Sequence, residues 1–352
     1  MPAASAPLPD PELGPAPIGG FFETHTPDGA AAGASVLEAW TAGRPYAAFV
    51  SARAAFAALV ENFPGADVWL PAYICRDLAA AAPADRLRFY GVREGFEPDL
   101  APVLAQARRG DLILSVAHFG QPLGDAPRAA LARRPELQIV EDRAQALDAG
   151  PSPAGAWTLF SPRKLLGVAD GGLLVGPPGA RVPQPTGPAD ADALWVAPAM
   201  RRDDPAGRRN SLWHAANQAK EAAMSAAPQA MTAQSLEILA HTSLSGLSAR
   251  RLANWRRLDA RLRPWSALRQ PPDSPPLGYV LRLAPEARAR LLNGLHAARV
   301  FAAVHWPTIA APAADFPREA AWTAELATLP CDHRYGPVEM DRIAGIAQGL
   351  LG

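Results

Sequence analysis

The sequence predicts an α/β protein built on a mostly parallel sheet that helices cover on both faces. From about residue 50 to 176, short apolar segments typical of strands alternate with segments typical of helices. Polar and reactive side chains gather directly after the strand segments, in the motifs PAYIC, AHFGQP, EDRAQ and SPRK. In open sheets of this kind, ligands bind beyond the carboxyl ends of the strands, so these loops form the candidate site.

The elements of this alternating part can be assigned one by one. The helical segments are SARAAFAALVENF, which opens at Ser51, and then ICRDLAAAA, LAPVLAQARR and APRAALARR. The strand segments are DVWLP, RLRFYGV, DLILSVA, LQIVED, WTLFS and GGLLVG. Strands separated by helices favour parallel pairing, because a parallel crossover needs a dozen or more residues.

The second half of the chain predicts an irregular excursion, long helices and then a small α/β unit. Residues 178–208 are rich in Pro, Gly, Asp and Arg, a composition typical of irregular structure. Long helices are predicted for NSLWHAANQAKEAAMSAA and QSLEILAHTSLSGLSARRLANWRRLDARL. After the break RQPPDSPP, the segments LGYVLRL, PEARARLLNGLHAA, FAAVHW and VEMDRIAGIAQGLL predict strand, helix, strand and helix.

Three regions are therefore predicted. Residues 1–19 form a flexible lead-in, rich in Pro, Ala and Gly, without the basic and apolar regions of a signal peptide. Residues 20–265 form a large domain, and residues 266–352 form a small C-terminal domain. No apolar run reaches the roughly 20 residues that a membrane helix needs, so a cytoplasmic protein is expected.

The composition favours a globular protein that binds neither nucleic acid nor a membrane. The 352 residues are 49% hydrophobic and carry a net charge of 0, without the basic excess that those partners require. The two cysteines, Cys75 and Cys331, are too few for a disulfide framework, and the seven histidines lack metal-ligand spacing. No metal site is therefore expected.

Lysine is rare in this chain, which directs attention to the two that occur. Of 34 basic residues, only Lys164 and Lys220 are lysines. Lysine can lose its proton when desolvated and become a nucleophilic amine, which arginine cannot do. Lys164 lies in FSPRKLLGVADGG, among polar partners, whereas Lys220 is predicted to be a solvated charge on a helix.

Several motifs, in one order along the chain, resemble those of a known family. They are SARAA at 51–55, PAYIC at 71–75, HFGQP at 118–122, EDRAQA at 141–146 with PRK at 162–164 and GVADGGLLV at 167–175, VHWP at 304–307 and ATLPC at 327–331. This pattern resembles the DegT/DnrJ/EryC1/StrS family of sugar aminotransferases, which depend on pyridoxal 5'-phosphate (PLP). The resemblance implies a fold-type-I transferase, with a mostly parallel seven-stranded sheet in the large domain and a small C-terminal α/β domain.

The resemblance also implies roles at the cofactor. Lys164 would form the internal aldimine and move the proton, and Asp142 would pair with the pyridine nitrogen. Gln145 would contact the ring's 3-oxygen. The remaining implied cofactor contacts are the backbone N–H groups of Ala52 and Arg53 at the phosphate, the hydroxyl of Ser161, and Cys75 where the family has a stacking aromatic.

Substrate contacts and partners follow from the same resemblance. Tyr73, His118 and His305 are candidate substrate residues. The implied reaction is a ping-pong transfer of an amino group from glutamate or glutamine to a nucleotide-linked keto-sugar, by a cytoplasmic homodimer. The FSPRK form, with Cys in the PAYIC turn, is similar to a branch found with polysaccharide biosynthesis.

Two alternatives remain open from the sequence. One is a PLP reaction on a non-sugar substrate, and the other is a non-catalytic relative. The family's G-x-N-x-R segment, which reaches the partner subunit's cofactor, has no counterpart here. The stretch MTAQSLEILAHTSLSGLSARRLANW stands in its place without the asparagine.

Overall fold

The computed structural model describes residues 14–26, 33–148, 150–268 and 274–352. Residues 1–13 of the predicted lead-in lie outside the described residues, as does most of the predicted break RQPPDSPP. The strands are β1 Ile18–Gly19, β2 Tyr46–Phe49, β3 Val68–Pro71, β4 Leu87–Tyr90, β5 Leu112–Val116, β6 Gln138–Asp142, β7 Trp157–Phe160, β8 Gly172–Val175, β9 Gly187–Pro188, β10 Gln229–Ala230, β11 Tyr279–Arg282, β12 Val300–Phe301 and β13 Leu326–Leu329.

The helices are α1 Val36–Thr41, α2 Ala52–Glu61, α3 Arg76–Ala79, α4 Leu100–Gln106, α5 Asp125–Ala132, α6 Ala191–Arg202, α7 Asn210–Ala223, α8 Ala233–His241, α9 Leu244–Leu262, α10 Pro285–Ala297, α11 Pro317–Glu325 and α12 Pro337–Leu351. Short 3₁₀ turns occur at Ala84–Arg86, His118–Gly120, Pro162–Lys164 and Arg263–Trp265. None of the helices in the described ranges combines the length and the apolar character that a membrane crossing requires.

Within the described residues, the largest sheet has nine strands in the order β4-β3-β5-β6-β7-β8-β2-β10-β9. Its first seven strands match the predicted mostly parallel sheet, because only β8 runs antiparallel to its neighbours β7 and β2. The two-residue strands β10 and β9 extend this sheet at one edge. The predicted α/β fold is confirmed.

Helix α2 packs against the central sheet. Ser51 accepts a hydrogen bond from the backbone N–H of Ala54 at 3.1 Å and caps the helix where the sequence predicted its start. Phe56 and Leu59 are fully buried in one cluster with strand residues such as Leu114. Burying each of these side chains stabilises the fold by about 2 kcal/mol.

The C-terminal part contains more structure than the sequence predicted. Strand β11 pairs with β13 in antiparallel fashion, and helices α10, α11 and α12 accompany them. Of the predicted strand FAAVHW, only Phe301 lies in a strand, Val300–Phe301, which pairs with β1 near the start of the described chain. A second cluster of buried side chains forms the core here, including Trp255, Tyr279 and Trp322.

The prediction of irregular structure for 178–208 is wrong in part. Residues Ala191–Arg202 form helix α6, and Asp190 caps it by accepting from the N–H of Ala193 at 3.2 Å. Pro198 lies inside this helix and is buried, along with Leu194. Tertiary packing against α7 therefore overrides the low helical preference of a segment rich in Pro and Gly.

Candidate active site

The carboxyl ends of the central strands meet at one cavity of about 1040 Å³. Strand register brings these ends together, since Asp142 at the end of β6 pairs with Val116 of β5 and Leu159 of β7. Eight of the sequence-predicted residues line the cavity, namely Ala52, Arg53, Cys75, Asp142, Gln145, Ser161, Lys164 and His305. Tyr73 and His118 lie outside its lining.

Asp142 is a buried carboxylate in the field of Lys164. Its side chain is 6% exposed, and Oδ1 accepts a hydrogen bond from the N–H of Ala144 at 2.8 Å. Burial raises the pKa of Asp142, and the positive charge of Lys164 opposes that rise. Lys164 is half-buried and ends the 3₁₀ turn that follows β7. The two side chains therefore line one cavity, where the charge of Lys164 acts on the carboxylate of Asp142.

Gln145 presents an unpartnered polar group to the same cavity. Its Oε1 accepts from the N–H of Phe119 at 2.6 Å, which fixes the side chain. Its Nε2 is buried and has no hydrogen-bond partner among the described residues, and the residue as a whole is only 2% exposed. Leaving a buried N–H donor without a hydrogen bond costs free energy, so this group indicates that a ligand supplies the acceptor here.

The N-terminus of α2 forms a cradle of backbone at the cavity. Ala52 and Arg53 are its first two residues, whose N–H groups have no acceptor inside the helix. A Cβ on Gly172 would lie 2.1 Å from the carbonyl carbon of Ser51, so only glycine permits this approach of β8 to α2. Backbone donors at a helix N-terminus favour an anion such as phosphate.

The guanidinium of Arg53 is directed away from that cradle. It donates to the carbonyl of Met224 at 2.8 Å and to the carboxylate of Asp77 at 2.9 Å. Ser161 is buried after β7, and Cys75 is half-buried immediately before α3; both line the cavity.

His305 lines the cavity and contacts strand β13. Its Nδ1 lies 3.1 Å from the hydroxyl oxygen of Thr328. Burial, with a smaller contribution from the positive charge of Lys164, lowers the pKa of His305 to about 4. The imidazole is therefore neutral at physiological pH.

Tyr73 and His118 lie behind the cavity wall. The hydroxyl of Tyr73 donates to the carbonyl oxygen of His305, and Nε2 of His118 lies 2.9 Å from the carbonyl oxygen of Tyr73. Both side chains pack in an aromatic cluster with Phe96 and Trp306. In this structure they support the segment that carries His305.

Two parts of the wall were not predicted from the sequence. Phe21 and Phe22 line the cavity from the segment after β1, where Arg201 and Arg334 hold the chain. Helix α7 contributes Ser211, Trp213 and a set of four residues at helical spacing, Asn210, His214, Asn217 and Glu221. The spacing of these four residues places them on one helix face, which was the available sequence signal.

The prediction that Lys220 is a solvated charge is wrong. Its side chain is 7% exposed, and Nζ donates to the carbonyl of Ala169 at 3.1 Å and lies 3.6 Å from Glu221. Burial lowers the pKa of Lys220, and Glu221 opposes this. In the described part of the chain, no group of three or more His, Cys, Asp or Glu side chains is placed to hold a metal ion.

Comparisons with known proteins give matches in structure only. No family model and no curated protein matches the sequence. The fold is similar to Spr1654 of Streptococcus pneumoniae in its PMP form, at 16% identity and a TM-score of 0.63, covering 95% of this chain and 93% of that one. It is also similar to a DegT DnrJ EryC1 StrS aminotransferase from Brucella abortus, at 18% identity and a TM-score of 0.62, covering 90% and 88%.

A third similar structure is that of DesI in the presence of its TDP-sugar product. Identity is 15% and the TM-score is 0.61, over 89% of this chain and 82% of that chain. These likenesses agree with the central sheet and with the resemblance in the motifs. The chain therefore has the fold of the fold-type-I aminotransferases, as the resemblance to the DegT/DnrJ/EryC1/StrS family predicted.

Proposed function

We propose that this protein is a PLP-dependent aminotransferase. It would move an amino group from an amino acid, with glutamate or glutamine favoured, to a nucleotide-linked keto-sugar. The observation that carries this proposal is the pair formed by Asp142 and Lys164 in one cavity, where the charge of Lys164 acts on the buried carboxylate. The fold supports it, because known aminotransferases share that fold.

The residues of the cavity fit PLP. Asp142 offers a buried carboxylate for a protonated ring nitrogen, and the orphaned Nε2 of Gln145 offers a donor for an oxygen on the ring. The N–H groups of Ala52 and Arg53 suit the phosphate, in the cradle that Gly172 makes room for. Each chemical part of the cofactor therefore has a matching group.

PLP, when bound, supplies an electron sink for a carbanion next to the transferred nitrogen. Lys164 would hold the cofactor through its amine and, once released, carry the proton at Nζ between reacting atoms. Asp142 would keep its proton-accepting carboxylate against the ring nitrogen. Neutral His305 would present an imidazole beside Lys164 without adding charge.

The size and polarity of the cavity support a keto-sugar as the acceptor. Besides Lys164, the cavity is lined by the aromatic residues Phe21 and Phe301 and by the amide residues Asn217 and Asn293. Aromatic faces and neutral amides suit the rings and hydroxyl groups of a nucleotide-linked sugar. A similar structure was solved in the presence of a TDP-sugar product. We further propose a cytoplasmic homodimer, as the resemblance implies, with a role in polysaccharide biosynthesis.

The test is the absorbance spectrum of the purified protein with PLP. Wild type should show a band near the visible edge that borohydride abolishes, and Lys164→Ala should lack it. Lys220→Met is the matched control, since Lys220 is the other lysine of the chain and should leave the band intact. Absence of this band in the wild type would favour a non-catalytic relative. A band together with activity only on non-sugar ketones would favour a PLP enzyme with a non-sugar substrate.

A further inference from the structure

Helix α7 forms one wall of the cavity that contains Lys164, in the same protomer. Besides Ser211 and Trp213, it contributes Asn210, His214, Asn217 and Glu221, which are three or four positions apart and so share one face. The opposite face of the helix, including Leu212 and Ala219, is exposed. The wall is therefore a built surface with an inner and an outer side.

Three cationic side chains hold the last turn of α7 against neighbouring segments. Arg163 pairs with the carboxylate of Glu221, and Lys220 donates to the carbonyl of Ala169 at 3.1 Å. Arg53 donates to the carbonyl of Met224, the residue that ends the helix, at 2.8 Å. Positive charge is favourable at this end of a helix, because its free carbonyl groups carry partial negative charge.

Asn217 is the member of this face whose amide is not satisfied by protein. Its Oδ1 is buried and has no hydrogen-bond partner among the described residues. The cations nearby are already paired, Arg163 with Glu221 and Arg53 with Asp77. A neutral amide beside balanced charges suits a neutral polar group, and a hydroxyl can both donate to an amide and accept from it.

We propose that α7 is a substrate-recognition wall in which Asn217 hydrogen-bonds a hydroxyl group of the keto substrate. This inference rests on the proposed aminotransferase function and adds to it the chemical class of group that the wall recognises. The Arg163–Glu221 pair holds the wall in place relative to Lys164, since Arg163 immediately precedes Lys164 in the chain.

The decisive variant is Asn217→Leu, which keeps the size of the side chain and removes its polar atoms. Gln218→Leu, one position along, is the matched control, because Gln218 is exposed and is not part of the cavity lining. Each half of the reaction is measured alone: the spectral change with L-glutamate, then the return with a TDP-linked keto-hexose or with pyruvate, which has no hydroxyl. We expect Asn217→Leu to raise the KM for the keto-hexose about tenfold, the loss of one hydrogen bond to a ligand.

The glutamate half-reaction, PLP binding and the use of pyruvate should stay as in wild type, and Gln218→Leu should change nothing. An equal loss with pyruvate and keto-hexose, or no loss with either, would overturn the inference while leaving the aminotransferase proposal intact. No spectral change with any amino donor in wild type would instead overturn the proposed function.

Whether the Arg163–Glu221 ion pair holds α7 in place is tested separately, by amide hydrogen exchange over residues 214–223. Glu221→Gln should speed exchange there, because it removes the charge that Arg163 holds. Glu237→Gln on the exposed side of α8 is the matched control and should not alter it. Unchanged exchange in Glu221→Gln would show that the ion pair does not hold the wall.

Discussion

Asp142 and Lys164 approach one cavity from two adjacent strands, and the charge of Lys164 opposes the effect of burial on the pKa of Asp142. Asp142 ends β6, whereas Lys164 ends the turn after β7. The pair thus depends on the parallel register of these two strands, and one residue of slip would separate it.

Asp142→Asn should weaken PLP binding by roughly a hundredfold, because losing one partner of a buried charge pair costs about 3 kcal/mol. Amine transfer should fall at least as much. Titration of the apoprotein with PLP, followed by absorbance, measures the affinity. Asp148→Asn, in the exposed loop beyond, is the control. Equal affinities for Asp142→Asn and wild type would contradict the assigned role.

Lys164→Met should raise the pKa of His305 and leave that of His118 unchanged. Both pKa values are lowered to about 4, in each case first by burial, but only His305 also experiences the charge of Lys164. Removing a nearby positive charge favours the protonated imidazole, so the pKa rises. A pH titration followed by nuclear magnetic resonance measures the pKa values of His305 and His118 separately. A shift of both residues, or of neither, would show that the electrostatic assignment is wrong.

Gly172→Ala should abolish PLP binding and destabilise the fold by about 2 kcal/mol, because its Cβ would overlap the backbone of Ser51. Gly187→Ala is the matched control, since no atom lies within 4 Å of its added Cβ. The free energy of unfolding in urea and the PLP affinity are measured on both variants. A stable, PLP-binding Gly172→Ala protein would exclude the cradle as described.

Asp332→Asn should destabilise the protein by roughly 3 kcal/mol at pH 7, because the buried Arg334 would lose Asp332 and keep only the less buried carboxylate of Glu23. Burial alone would raise the pKa of Asp332, but the charge and hydrogen bond of Arg334, together with the charge of Arg251, outweigh burial and hold this pKa well below its usual value. A depressed pKa contributes stability above about pH 4, which is lost as the pH falls through the folded-state value.

Wild type should therefore lose stability in acid more steeply than Asp332→Asn does. Unfolding free energies at pH 7, 5 and 3 measure both slopes. Asp341→Asn, which removes an exposed ion pair with Arg257, should leave the free energy of unfolding nearly unchanged and serves as the control. Parallel pH profiles for wild type and Asp332→Asn would contradict the claim that the lowered pKa of Asp332 contributes to stability.

The sequence predicted best those features that local chemistry determines. Ser51 is a capping residue before an apolar helical face, so the start of α2 could be read directly. The apolar run that ends at Asp142 is likewise a strand in both prediction and structure. The site roles of Tyr73 and His118 stay predictions, because both lie behind the wall that carries His305.

Features that depend on distant contacts could not be predicted in this way. Lys220 has the sequence surroundings of a solvated helix residue, yet the carbonyl of Ala169 and the carboxylate of Glu221 allow its burial. Helix α6 forms in a Pro-rich segment because α7 packs against it. The wall of α7 likewise depends on Arg163 and Arg53, which lie far from it in sequence.

The pairing of β1 with β12 sets an order of events during synthesis. The backbone N–H of Gly19 donates to the hydroxyl of Tyr335, a residue 316 positions later in the chain. A ribosome adds roughly 5–20 residues per second, so the segment around Gly19 must wait at least about 15 seconds for its partners. The large sheet can form while Phe21 and Phe22 are still without their final neighbours, and the cavity closes only after the segment around Tyr335 has been synthesised.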